Sequence, residues 1–177
     1  AHRRGLELHA WFNPFRAGNA ADSATMAATH VWKARRDLAV RYGTQLWMDP
    51  GLPEVHDRTL AVVRDVVRRY DVDGVHLDDY FYPYPQGTLD FPDSASYARH
   101  NPRGLARADW RRDNVNRFVE RLYAEVHAVK PWVRVGISPF GIWRPGSPAG
   151  ITGLDAYAAI YADSRLWLNR GWIDYFA

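Results

Sequence analysis

Two hydrophobic periods alternate along the chain. Leu6, Leu8 and Ala10 interleave with Glu7, His9 and Trp11, which predicts a strand over 6–12. A polar, Ala-rich stretch follows, with a helix expected near 26–42 that stops at Gly43, and then a second strand over 44–49. The segment 53–70 reads as a helix: Pro53 suits its first turn, and Val55, Val62, Val63, Val66 and Tyr70 recur at helical spacing. A third strand is expected over 72–79, too short and too glycine-marked for a helix. A loop over 80–108 separates it from a helix at 109–130, whose buried face is Val115, Phe118, Val119, Leu122, Val126 and Val129. Pro131 then opens a strand over 132–138. A Pro/Gly-rich loop spans 139–153, a helix with Leu154, Ala158, Tyr161 and Leu168 on one face spans 154–170, and a last strand covers 172–176.

Alternating strands and helices imply a parallel sheet covered by helices. Side-chain parity then separates an open sheet from a barrel. Each of the five strands carries one aliphatic face and one face of polar and aromatic groups: Glu7, His9 and Trp11; Gln45, Trp47 and Asp49; His76 and Asp78; Arg134, Gly136 and Ser138; Trp172 and Asp174. In the last strand this reading sets Ile173 and Tyr175 on the aliphatic side. An open sheet with helices on both sides needs aliphatic residues on both faces, whereas a barrel keeps a polar lumen. The expectation is a partial (β/α)8 TIM barrel of about five consecutive β/α units, occupying 1–177 with no second domain. That fold takes roughly 250 residues, and both ends look cut. The isolated chain is therefore expected to be inactive.

Composition narrows the field without naming a chemistry. With 177 residues, 47% hydrophobic and 24% charged, the chain fits an ordinary folded domain. The formal charge of +3 is scattered, with no basic block interleaved with aromatics, so no nucleic-acid partner is expected. No apolar run is long enough to cross a bilayer, and no membrane contact is expected from this segment. The absence of cysteine excludes disulfides and thiolate metal sites.

Barrel catalysis takes place at the C-terminal ends of the strands. There the chain places Trp11, Asn13 and Arg16, then Trp47 and Asp49, then Asp78, Asp79, Tyr80 and Tyr82, then Trp143, and finally Asp174. Carboxylates ringed by aromatics suit a carbohydrate: rings pack on the C–H faces of sugars, and a pair of carboxyls cleaves the glycosidic bond. Asp78 is the expected central carboxylate, with Asp79, Asp49 and His76 around it and Glu7 and His9 bracing from below. Asp174, or a residue past Ala177, is the expected second carboxyl. Trp110, Trp132 and Trp167 are read as core, and His30, His56, His100 and His127 as solvated. A metal site from His9, His76, Asp49, Asp78 and Asp79 is a weaker alternative, since no His-x-His strand pair or His-Glu-x-x-His helix occurs. The expectation is no metal and no cofactor.

Five stretches carry a family resemblance: AWFNPFRAG (10–18), LWMDPGLPEV (46–55), YDVDGVHLDDYFYPYP (70–85), SPFGIWRPG (138–146) and LDAYAAIYADSRLWL with GWIDYFA (154–177). Together they resemble the glycosyl-hydrolase-like 10 family over essentially the whole chain. The resemblance implies a (β/α)8 barrel acting on an oligosaccharide or polysaccharide, usually in exported bacterial cell-envelope proteins, some associated with peptidoglycan strands. DGVHLD also resembles the fourth-strand motif of alpha-amylase-like barrels, whose final Asp is the nucleophile; that role would fall to Asp78, with His76 replacing their Arg. Their acid/base Glu has no counterpart in VRVGISPFG (133–141). A glycan-binding barrel without catalysis is the alternative, and a metal-dependent hydrolase the third.

Overall fold

The computed structural model describes residues 1–177. Seven strands form two sheets, with six α-helices beside them. The strands are β1 (His9–Phe12), β2 (Arg16–Asn19), β3 (Ala39–Tyr42), β4 (Gln45–Met48), β5 (Gly74–Leu77), β6 (Arg134–Ile137) and β7 (Tyr175–Phe176). The helices are α1 (Val31–Ala34), α2 (Pro53–Arg69), α3 (Ser94–Arg99), α4 (Arg107–Val129), α5 (Ala156–Ala159) and α6 (Ser164–Arg170). One sheet is parallel with order β1-β5-β6-β7, and the other is antiparallel with order β2-β4-β3.

The parallel sheet divides its faces as the alternation requires. Ala10, Val75 and Val135 share one register row, and Phe12, Leu77, Ile137 and Phe176 the next. Val75, Leu77, Val135 and Ile137 are fully buried. Helix α4 packs against β6 and against α2, and contributes Val115, Phe118, Val119, Leu122 and Val126, all without exposure. Each such side chain contributes about 1.5–3 kcal/mol of burial. Helix α2 opens at Pro53, where a missing N–H costs nothing, and closes with Arg68 and Arg69 in its last turn, which suits the helix dipole. Its buried face is Val55, Leu60, Val63 and Val67, while the expected Val62 and Tyr70 are exposed. Helix α4 ends at Val129 because Lys130, preceding Pro131, is extended.

Three expectations are corrected. The segment 26–42 is not one helix: α1 is a single turn, and 39–42 is strand β3, joined to β4 through Gly43-Thr44 as a hairpin. The segment 44–49 is accordingly not in the parallel sheet, which holds four strands of this chain instead of five. Strand β4 is covered on both sides, with Leu46 and Trp47 both at zero exposure. The segment 154–170 breaks into α5 and α6 around Tyr161, whose φ is +60°.

The long 80–106 connection is tied to the first two turns of α4. Buried Arg111 forms a two-point pair with fully buried Asp93, Nε to Oδ2 at 2.7 Å and Nη2 to Oδ1 at 2.8 Å, and also donates to Asp90 and to the Phe91 carbonyl. Arg107 donates to Asp93 at 2.9 Å and to Ser94. Bidentate pairing of this kind lets a charge be buried without being left unpaired.

Candidate active site

The second face of the parallel sheet is polar. His9, Gly74 and Arg134 occupy one row, and Trp11, His76, Gly136 and Tyr175 the next. Gly136 leaves bare backbone where the Tyr175 ring lies; a Cβ there would overlap the ring. Gly74 does the same for His9. Tyr175 thereby reaches two imidazoles at once: its hydroxyl is 2.6 Å from His9 Nδ1 and 3.0 Å from His76 Nδ1. His76 Nε2 is 2.7 Å from Ser138 Oγ, and His9 Nε2 is 3.1 Å from a Glu7 carboxylate oxygen. The other Glu7 oxygen accepts from Arg134 at 3.0 Å. Burial, and then His9, holds His76 below its ordinary pKa.

The rim follows the ends of β1, β5 and β6. Asp78 continues β5 on the face of His76, and its carboxylate accepts from the Tyr80 amide at 3.2 Å. Ser138 is its neighbour across the ladder, its amide donating to the Leu77 carbonyl at 2.9 Å. Burial pushes the Asp78 carboxyl above the usual carboxylate range; the Tyr80 amide opposes this, Asp79 adds to it, and Arg16 again opposes. Asp79 accepts from the Tyr84 hydroxyl. Tyr84 stands edge-on to Tyr80, with centroids 5.3 Å apart, and to Phe140 at 6.2 Å. The Arg16 guanidinium lies 5.9 Å from the Tyr80 ring centre, and its backbone N–H donates to Asn13. Trp11, beside His76 in the register, is 62% exposed, a large apolar ring left in solvent at this face. Half-buried carboxyls among aromatic rings can protonate a glycosidic oxygen or attack the anomeric carbon of a sugar stacked on a ring.

Trp11, Asn13, Arg16, His76, Asp78, Asp79 and Tyr80 thus gather around one region, and five other expected site residues do not. Trp47 is core, its indole donating to the Phe81 carbonyl at 3.1 Å. Asp49 is buried, and both its oxygens are used, by the Gly51 amide at 2.8 Å and the Ser96 hydroxyl at 2.6 Å; burial raises its pKa. It forms the turn at Pro50-Gly51. Tyr82 is fully buried, edge-on to Phe91 and Tyr161. Trp143 donates to Asp163 at 3.0 Å and walls a separate groove of about 490 Å³ with Arg165, Leu168 and Phe176. Asp174 precedes β7 at the opposite end of the sheet, accepting from the Val135 amide at 2.7 Å and lying 3.6 Å from His127 of α4.

The last strand departs from the expected parity. Only Tyr175 and Phe176 join the ladder, so alternation does not extend back to Ile173, and it is Tyr175 that faces the polar side. The signal for it was Gly136, since a glycine inside a strand marks a close approach by another group. Two further expectations fail: Trp132 is 69% exposed, and His56 is buried and bonded to the Pro50 carbonyl at 2.8 Å. No three His, Asp or Glu side chains converge as a metal set; His9 and His76 point at the Tyr175 hydroxyl.

Comparison with known proteins gives the family. The chain is 43% identical to Glycosyl hydrolase YngK of Bacillus subtilis over 183 residues, covering 99% of the chain and 36% of that protein. It is 37% identical to Glycosyl hydrolase DigH of Escherichia coli over 190 residues, covering 100% of the chain and 43% of that protein. It therefore spans well under half the length of either relative. Among solved structures, alpha-L-fucosidase isoenzyme 2 from Paenibacillus thiaminolyticus superposes with a TM-score of 0.51 at 16% identity, covering 81% of the chain and 22% of that protein, a likeness of fold alone. The model of the Glycosyl hydrolase-like 10 family matches residues 1–177, from before β1 to the end of β7, and the chain belongs to that family.

Proposed function

We propose that this chain is the active-site part of a (β/α)8 barrel that hydrolyses O-glycosidic bonds, with Asp78 as the central carboxylate. The observation that carries the reading is Asp78 itself. It is half-buried at the end of a parallel strand, its pKa is raised, the Tyr80 amide and Arg16 act on its carboxyl, and the exposed ring of Trp11 lies beside His76 on the same face. The four-strand parallel order and its partition into an aliphatic and a polar face support the barrel. The relatives' names support the reaction class. Asp79, bonded to Tyr84, orients the rim, and Trp11, Tyr80, Asn13 and Arg16 hold the sugar. The second carboxyl that hydrolysis needs comes from residues outside this chain. Bacterial cell-wall glycan is the proposed substrate, on the family resemblance alone.

A glycan-binding barrel without catalysis is the second reading, favoured by a single observation: of the acids at the rim, Asp79 is engaged by Tyr84, leaving Asp78 alone. Incubating the full-length protein with purified glycan strands separates the two. New reducing ends support hydrolysis, while retention of intact strands without cleavage supports binding only.

A further inference from the structure

The contacts among Glu7, His9, Tyr175, His76 and Ser138 admit one direction of donation when both imidazoles are neutral. A carboxylate only accepts, so His9 Nε2 carries the hydrogen that reaches Glu7 at 3.1 Å, and Arg134 holds that carboxylate from its other oxygen. A neutral imidazole has one N–H, so His9 Nδ1 is an acceptor, and the hydrogen on the 2.6 Å contact belongs to Tyr175. The phenol has then used its only hydrogen. At the 3.0 Å contact His76 Nδ1 must donate to it. His76 Nε2 is left as an acceptor and takes the Ser138 hydrogen at 2.7 Å. The Ser138 oxygen is left with free lone pairs, on the residue that follows β6 as Asp78 follows β5.

We propose that Tyr175 is a positioning residue that fixes His76 as its Nδ1–H tautomer and so turns Ser138 into an acceptor for a substrate hydroxyl beside Asp78. The Ser138 part of this assignment rests on the hydrolase reading above; the tautomer part does not. The geometry favours Tyr175 as the setting link because it alone touches both imidazoles, and because two glycines, Gly74 and Gly136, clear the space in which His9 and Tyr175 lie.

The test is ¹⁵N-histidine labelling of the full-length protein at mildly alkaline pH, with the His76 signals assigned by their loss in His76→Gln. Wild type should show a protonated Nδ1 and an unprotonated Nε2. Tyr175→Phe keeps the ring over Gly136 and removes only the oxygen, so the His76 proton should move toward Nε2, where Ser138 can accept it. Ser138→Ala should leave the proton on Nδ1. A wild-type proton on Nε2, an unchanged tautomer in Tyr175→Phe, or a switched one in Ser138→Ala would each overturn the proposal. On glycan, Tyr175→Phe and Ser138→Ala should each raise KM by about tenfold, the loss of one hydrogen bond, and the double variant no further. Additive losses would overturn the link through Ser138. If the tautomers behave as stated and wild type cleaves no glycan, the positioning role stands and the hydrolase reading fails.

Discussion

Tyr175 lies nearly parallel to His76, with ring centroids 5.7 Å apart and planes 18° from parallel, over the bare backbone of Gly136. The stack joins the last strand of the sheet to its centre on the polar side. It depends on a missing side chain, since any Cβ at 136 takes the place of the ring.

Gly136→Ala should therefore destabilise the protein by about 1–3 kcal/mol, the usual cost of overpacking, and should release Tyr175 from His76. Denaturant unfolding of the variant against wild type checks the first part. An unchanged midpoint would mean that the ring relocates freely.

Asp78→Asn should lower kcat on glycan far more than tenfold, a tenfold change being about 1.4 kcal/mol of barrier. Because removing a partly buried charge relieves desolvation, the variant should unfold no earlier than wild type. Activity within tenfold of wild type would exclude Asp78 as the central carboxylate.

The two classes of aromatic should separate on substitution by alanine. Tyr82 and Trp47, which are fully buried, should cost about 3–5 kcal/mol of stability. Tyr80 and the exposed Trp11 should cost little stability and weaken glycan retention. Thermal unfolding read beside a glycan pull-down decides it, and a pattern with the classes exchanged would put the site elsewhere.

His56 supplies a pH dependence of known sign. Burial, partly opposed by the bond to Pro50, lowers its pKa to about 4 from 6.5. A group whose folded pKa is depressed contributes its stability above the unfolded value and loses it as the pH falls toward the folded value. Between pH 6.5 and about 4 the protein should lose on the order of 3 kcal/mol through this group. His56→Gln, which can still donate to the Pro50 carbonyl, should flatten that part of the stability profile. Equal slopes in the two proteins would show that His56 titrates normally.

The elements legible in the sequence are those whose period is set by one buried face. Helices α2 and α4 and strand β5 fall within a few residues of expectation, and His76 and Asp78 share the polar side as alternation requires. Strand β4 was visible as a strand, but its partners were not. Leu46, Trp47 and Met48 are apolar in succession, and which sheet buries them depends on the hairpin at Gly43-Thr44, not on their own period. Asp49 resembles a strand-end acid, yet Pro50-Gly51 behind it makes it the acceptor of a turn. Asp174 and Tyr175 were exchanged because two ladder residues are too few to define a parity. The shared hydroxyl of Tyr175 joins residues more than 160 positions apart, which no local pattern encodes.

The clamp of Arg107 and Arg111 on Asp90 and Asp93 has a bearing on how this loop can diversify. It fixes the far end of the 80–106 connection to α4, while Tyr80 and Tyr84 fix the near end at the rim. Between the two anchors, Gly87 and Thr88 form an exposed tip. Residues inserted there would lengthen the connection without disturbing either anchor, so this loop can change in sequence while the proposed site around Asp78 is inherited intact.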